Sequence, residues 1–365
     1  MQNQIPKNWQ KFKLGDVLMI RRGASPRPIH EYIVKQGIPW LKISDVTGAE
    51  SRYVNSTKEF IKQEGVSKSV VVKPGALILS NSATPGIPRF MRITACVHDG
   101  WLILEPTGDL INKDFLYYRL VLDRSKLVSN VTGAVFDNLN TDVLRDHEVF
   151  LPSPKEQEKI ANILTSFNDK IELNNEIVKT LEDISQTLFK EWFVKNKPSN
   201  WEISNFEDIA NLEYGKALQE EKRISGDVLV FGSSGQVGTH NEKLCAGPGI
   251  VVGRKGNVGS VFWVDEDFYP IDTTFYVNSK VSLYYMYFIL KNMKFHTGDS
   301  AVPGLNRESV HNSEILIPDN NMLNKFDEGV IPMFKKLAQI KKENQKLAAL
   351  RDLLLPKLMS GEVRV

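Results

Sequence analysis

A chain that carries the same stretch twice has to fold into two copies of something. Leu139–Ile160 reads LNTDVLRDHEVFLPSPKEQEKI, and Leu305–Phe326 reads LNRESVHNSEILIPDNNMLNKF. The two lie over each other without a gap, 166 positions apart (305 − 139). Both open on Leu-Asn, carry a Glu (Glu148, Glu314), and then run an apolar triplet into a proline (Pro152, Pro318). The likeness continues upstream. PKNW (Pro6–Trp9) returns as PSNW (Pro198–Trp201), and GDVLMIRRG (Gly15–Gly23) as EDIANLEYG (Glu207–Gly215). PGALILSNSATPG (Pro74–Gly86) returns as PGIVVGRKGNVG (Pro248–Gly259), and Asp99 before GWLIL as Asp272 before TTFYV. The period is about half of the 365 residues, so this is a duplication and not a solenoid of short repeats.

Within each copy the pattern reads as mixed α/β. GALILS and GIVVG are short apolar runs bounded by Gly and Pro, as buried strands are. FLYYRLVLDRSKLVS (Phe115–Ser129) has apolar residues at helical spacing, with SLYYMYFILKNMKF (from Ser282) as its counterpart. Each copy ends in a long helical stretch. The first starts with Ser153 as N-cap, Pro154 at N1 and Glu156 at the N3 position of a capping box. A 3/4 alternation then places Leu164, Phe167, Ile171, Asn174, Val178, Leu181, Ser185, Leu188 and Trp192 on one heptad seam. The second seam holds Leu337, Ile340, Asn344, Leu347, Leu350 or Arg351, Leu354 and Leu358. Pro356 should kink or end that helix.

These patterns divide the chain into a globular region over residues 1–152, a helix over 153–197, a second globular region over 198–318 and a second helix over 319–365. The expected class is α+β: two tandem mixed α/β domains, each followed by a long helix. The economical burial of two seams is an antiparallel intramolecular coiled coil, about 60 Å long at 1.5 Å per residue, with Asn174 and Asn344 fixing register. The other solution packs each helix on its own globular region.

The formal charge of +2 is unevenly spread. Residues 1–152 hold 20 Lys+Arg against 15 Asp+Glu, whereas 198–318 hold 10 against 15. The first region suits a polyanion by general electrostatics, the second only through a local basic patch. The longest apolar run, SLYYMYFIL, is too short for a bilayer, the first residues carry no signal pattern, and Cys96 and Cys245 make no disulfide framework. The expectation is a soluble cytoplasmic protein.

Familiar catalytic motifs are missing. GRKGNVGS lacks phosphate-loop spacing, and GSSGQVGTH lacks the βαβ context of a dinucleotide fingerprint. Both read as tight turns. His30, His98, His147, His240, His296 and His311 show no metal spacing. His98-Asp99 could be an acid/base pair, but Ile271-Asp272 stands in the other copy, so a structural histidine is the plainer reading. Neither GxSxG nor an amino-methyltransferase tetrapeptide occurs.

The order of these elements, repeated twice over essentially the whole chain, resembles the specificity subunit of type I restriction–modification enzymes. The carriers are the Trp-led opening (Trp9, Trp201), the PGIVVGRKGNVG strand and loop, the Leu-Asn to Pro close, and the helix after each. The resemblance implies that each globular region is a target-recognition domain for one half of a split double-stranded DNA site. It implies that the helices set the spacing and dock two methyltransferase subunits, through which restriction/translocase subunits join. S-adenosylmethionine, ATP and Mg then belong to the partners, and this chain has no catalytic residue, cofactor or metal of its own.

Base reading needs side chains that reach base edges, while others grip phosphates. The candidates in the first copy are Arg21, Arg22, Ser25, Arg27, Lys42, Ser44, Ser80, Asn81, Arg89 and Asn138. Those in the second are Lys216, Ser233, Ser234, Arg254, Lys255 and Asn257, with Arg254-Lys255 the sharpest. The acidic run Asp265–Asp267 must turn away from DNA or toward a partner. Rival readings are a coiled-coil scaffold whose ends bind proteins, and a nuclease around His98 and Asp99.

Overall fold

The computed structural model describes residues 6–48, 51–129, 138–198, 201–295 and 304–365. His296 and the Ser-Asn of PSNW lie outside them. Two compact units form: Met1–Asn175 with Glu343–Val365, and Glu176–Lys342.

In the first unit the opening strand Gln10–Lys13 pairs antiparallel with the closing strand Glu148–Leu151, which brings the two ends of the repeat together. The central sheet runs in the order Leu18–Arg22, Trp101–Pro106, Leu77–Ser80, Pro88–Met91, Tyr53–Val54. Its inner strands are mostly apolar because both faces are covered. Leu77, Leu79, Leu102 and Leu104 enter a core with Phe115, Leu116 and Leu120 of the helix Lys113–Ser129. The alternate residues Ile78, Trp101 and Ile103 enter a second core with Leu41, Val72 and Val97. Period-two alternation therefore sends one strand into two cores. That second core lies against a sheet in the order Ile33–Val34, Glu59–Ile61, Ile38–Leu41, Ala95–Val97, Val70–Val72.

The second unit repeats the plan with fewer strands. Glu202–Asn205 pairs with Glu314–Ile317. The central sheet runs Ala210–Tyr214, Thr274–Ser279, Gly249–Gly253, Val261–Val264. Ile250 and Val252 enter the core with the helix Leu283–Asn292, while Val251 faces Phe231, Val264 and Phe268. Among the described residues the accessory sheet has Gly235–His240, Val228–Gly232 and Phe268–Pro270. GSSGQVGTH is the turn and second strand of its hairpin.

The first long helix, Pro154–Phe189, begins where Ser153 Oγ accepts the Glu156 N–H (3.3 Å). The Glu156 carboxylate instead accepts from Trp9 Nε1 and Arg364. A π-helical turn, Lys190–Lys195, follows. Phe189, the last residue of the α-helix, and Phe193, within the turn, are buried at four-residue steps from Ser185, while Leu188 and Trp192 are half-buried. Of the other first-seam positions, Leu164, Asn174 and Ser185 are buried, and Phe167, Ile171, Val178 and Leu181 half-buried.

The second long helix is Asn320–Met359. Ile340 and Leu358 are buried, while Leu337, Asn344, Leu347 and Leu354 are half-buried. Leu350 faces solvent and Arg351 turns inward, donating to Asn168 Oδ1 (2.7 Å). In the first unit Asn174 Nδ2 donates to Asn344 Oδ1 (2.7 Å), and Asn344 Nδ2 to Asn175 Oδ1 (2.9 Å). In the second, Ser185 Oγ meets Met333 Sδ at 3.2 Å.

Pro356 neither ends nor interrupts this helix, contrary to the sequence expectation. The helix continues to Met359 because Leu358 and Met359 are buried in the first core. It stops at Gly361, whose φ of +73° and N–H bond to the Leu358 carbonyl make the usual left-handed cap. Among the described residues no helix is long and apolar enough to cross a membrane.

Candidate functional site

Three loops meet beyond the central sheet in each unit, and they are held by the same backbone hydrogen bonds. Gly23 passes so close to the next loop that a Cβ would sit 2.2 Å from the His98 carbonyl oxygen; at Gly215 it would sit 2.2 Å from that of Ile271. No side chain fits at either point. The Gly23 N–H donates to the Trp101 carbonyl and the Gly215 N–H to that of Thr274. The next N–H groups donate to Val97 and Pro270.

A six-residue loop follows the strand after PG in each copy. In the first, Asn81–Gly86, the Gly86 N–H donates to the Ser80 carbonyl (2.8 Å). In the second, Arg254–Gly259, the Gly259 N–H donates to that of Gly253 (2.8 Å). The left-handed residues coincide: Ala83 (φ +56°) with Gly256 (+78°), and Gly86 (+79°) with Gly259 (+76°). The carbonyl at the fourth loop position accepts a hydroxyl in both, from Ser80 onto Thr84 (2.6 Å) and from Ser260 onto Asn257 (2.9 Å).

The Leu-Asn pairs close the frame. Leu139 donates its N–H to the Asn81 carbonyl (2.7 Å), and Leu305 donates to that of Arg254 (2.8 Å). The following asparagines cap short helices, Asn140 on Asp142 N–H and Asn306 on Glu308 and Ser309 N–H.

The frame places the candidate side chains as follows. In the first unit, Arg22 donates Nε to the Asp99 carbonyl (2.7 Å), Ser25 Oγ donates to Asp99 Oδ1 (2.7 Å), and Arg27 reaches Oδ2 at 3.4 Å. The Ser25 hydroxyl holds the Asp99 carboxyl below its ordinary pKa. Arg21 pairs with Glu105, and Lys42 with Glu59. A cleft of about 890 Å³ gathers Ser25, Arg27, Lys42, Ser44, His98 and Asp99. Asn138 is exposed beside the closing segment.

In the second unit, Lys216, Ser234, Lys255 and Asn257 are exposed and Arg254 is half-buried. Arg254 donates to the Asp272 carbonyl (3.1 Å), and its guanidinium lies over the Tyr214 ring at 4.9 Å. Asp265, Glu266 and Asp267 are engaged by Trp263, Lys342 and Lys243 within the unit.

Three candidates turn inward. Ser80 is fully buried as the clamp described above, and its Oγ also accepts the Ile87 N–H. Arg89 is buried and donates to the Pro88 and Val46 carbonyls. Ser233 is buried, and its carbonyl (2.7 Å) shares the one Ser260 hydroxyl hydrogen with that of Asn257. Asn81 is also buried but has one unused group, Oδ1.

His98 is structural in its contacts. The Gly100 N–H points at Nδ1 (2.8 Å) and the Ile43 N–H at Nε2 (3.3 Å). Burial pushes its pKa below the ordinary histidine value. Among the described residues no three His, Cys, Asp or Glu side chains group as a metal site.

Sequence reasoning missed Tyr214 and Arg307. Arg307 lies 5.5 Å over the same ring and donates to Asn211 Oδ1 (2.7 Å). Aligning the two loops position by position would have pointed to Arg254 standing where Asn81 stands, and Tyr214 where Arg22 stands.

The family described as "Type I restriction modification DNA specificity domain" matches residues 6–183 and 198–347. The MjaIX type I restriction enzyme specificity subunit of Methanocaldococcus jannaschii is 26% identical over 411 residues, covering 99% of this chain and 95% of that protein. The HindI specificity subunit of Haemophilus influenzae is 21% identical over 468 residues, covering 98% and 100%. Among solved structures, the S subunit of a type I restriction–modification system from M. genitalium superposes with a TM-score of 0.67 at 18% identity, covering 98% and 97%. That likeness concerns the fold.

Proposed function

The chain belongs to the type I restriction modification DNA specificity family, with the family's domain present twice, and from that premise we propose that each copy reads one half of a split, asymmetric double-stranded DNA site. One observation carries the reading. The same loop frame is built twice in one chain, and different side chains project from it. A constant backbone with variable polar groups is what two unlike half-sites require. The long helices, 36 and 40 residues, pair as an antiparallel coiled coil and fix the gap between half-sites, as dimer spacing does in other DNA readers.

Those helices also dock two methyltransferase subunits, through which restriction/translocase subunits join. Leu173 (51% exposed), Ile184 (42%), Leu350 (48%) and Leu353 (57%) support this, because they are large apolar side chains on the helices that face solvent. The catalytic chemistry, with S-adenosylmethionine, ATP and Mg, resides in those partners, and the assembly works in the cytoplasm.

The test is a methylome. The chain is co-expressed with the methyltransferase subunit of its own system in cells lacking N6-methyladenine, and modified adenines are mapped. A split motif that depends on this chain is expected, and replacing residues 1–152 by those of another specificity subunit should change one half only. An active, assembled complex that yields no motif would sink the reading in favour of a protein-binding scaffold.

A further inference from the structure

The two copies differ at the frame's centre in a reciprocal way. In the first, the strand before Gly23 ends in Arg22 and the six-residue loop opens on Asn81. In the second, the strand before Gly215 ends in Tyr214 and the loop opens on Arg254. Arginine has moved from the end of the edge strand to the loop after the strand two places along the sheet, yet its hydrogen bond is to the equivalent acceptor. Arg22 Nε donates to the Asp99 carbonyl at 2.7 Å, and Arg254 donates an Nη to the Asp272 carbonyl at 3.1 Å. Asn81 Nδ2 also turns toward the Asp99 carbonyl, at 3.5 Å. That carbonyl stands in the loop at which Gly23 or Gly215 makes its close approach.

We propose that this carbonyl is a socket that orients one arginine per unit for bidentate reading of a guanine, so each half-site contains a guanine at the same place relative to its frame. A guanidinium has five donors in a rigid plane. Spending one on a backbone carbonyl fixes the plane and leaves the rest as a fork. Arg22 uses Nε and keeps both terminal nitrogens, which make no hydrogen bond among the described residues. Arg254 uses one terminal nitrogen and is held over Tyr214, 4.9 Å away. A guanidinium whose plane is fixed suits the O6/N7 edge of a guanine, which it meets with two N–H donors at once. Arg27, 80% exposed and 3.4 Å from Asp99, has the looser hold expected of a phosphate contact.

The inference rests on the DNA-reading function proposed above and is tested so that the two fail separately. The complex with its methyltransferase subunit is offered a randomised DNA library, and methylated sequences are read. Wild type comes first: no split motif refutes DNA reading itself, while a motif lacking guanine in either half refutes only the socket. Arg22→Ala should then relax one guanine of the first half roughly ten- to hundred-fold, leaving the second half unchanged. Arg254→Ala should do the reverse. Arg22→Tyr with Asn81→Arg rebuilds the second copy's arrangement in the first and should restore a guanine preference that Arg22→Tyr alone loses. A uniform fall in methylation with unchanged base preferences would mean phosphate contact, and unchanged methylation would mean no contact; either overturns the socket. Lost melting cooperativity in the alanine variants, with the double variant still showing no guanine preference, would assign the arginines a purely structural role and overturn it too.

Discussion

The loop frame and the accessory sheet behave oppositely between the two copies. The frame is kept almost bond for bond: Gly23 with Gly215, Asn81 with Arg254, Leu139 with Leu305. Among the described residues the accessory sheet shrinks from five strands to three, and the helix behind the central sheet from 17 residues to 10. What is retained is backbone geometry, where a changed hydrogen bond leaves a buried polar group unpaired. What drifts is peripheral structure and the side chains that project from the frame, which cost little to change and are free to carry specificity.

The strongest way to break the equivalence of the frames is to fill their close approaches. Gly23→Val and Gly215→Val should each cost more than about 3 kcal/mol, since a Cβ would meet a carbonyl oxygen at 2.2 Å. Each variant should lose its own half-site and spare the other. Thermal melting resolved by unit would show a frame that is not shared if only one substitution mattered.

A smaller effect separates the units by pH. Only the longer helix of the first unit carries Asp123, which binds His147 Nε2 (2.9 Å) and Arg119 Nε (2.5 Å). Burial alone would raise its pKa, but those bonds prevail and hold it at about 2. The folded value lies below the unfolded one of about 3.8, so the stabilisation is present above pH ~4 and is lost as pH falls toward 2. It amounts to about 2 kcal/mol. Asp123→Asn should flatten that acid dependence in the first unit alone, as melting temperature against pH would reveal.

The hydroxyl clamps give a finer comparison. Ser80→Ala removes a fully buried hydroxyl that the Ile87 N–H donates to and should cost about 1.5 kcal/mol, whereas Ser260→Ala, half-buried, should cost about half of that. Equal losses in urea melts would show that burial does not set the difference.

The smallest test is also the sharpest, because its sign reverses between copies. Ala83→Gly relieves a left-handed alanine and should stabilise by about 0.5–1 kcal/mol. Gly256→Ala imposes the same strain at φ +78° and crowds Ser233 Oγ, 3.1 Å away, so it should destabilise by about 1 kcal/mol. Urea melts of the two variants check both signs, and a shift in the same direction for both would break the equivalence of the loops.

Much of this could be read in the sequence. The Leu-Asn repeats, the PG-led strands and the prolines marked the frame, and three of the Arg-rich loop's side chains, Arg22, Ser25 and Arg27, do converge on Asp99. Other residues were misplaced for identifiable reasons. Ser80 resembled a loop serine but is the clamp beneath the loop, and Arg89 lies inside the strand Pro88–Met91. Pro356 had the local signature of a helix end, yet burial of Leu358 and Met359 carries the helix past it. Phe189 and Phe193 continue the buried face in four-residue steps from Ser185, where the heptad count steps by three to Leu188.

The sequence by itself determined that there are two copies, where each begins and closes, and that a long amphipathic helix follows each, because periodicity and duplication are properties of neighbours along the chain. Tertiary structure decided which polar residues face outward. The Arg22 bond to the Asp99 carbonyl spans 77 residues and the Ser25 bond to its carboxylate 74, while Leu305 closes on Arg254 from 51 positions away (305 − 254). No local pattern encodes such pairs. They exist only once strand order has brought distant backbone groups within hydrogen-bonding distance, and burial then forces each of those groups to find a partner.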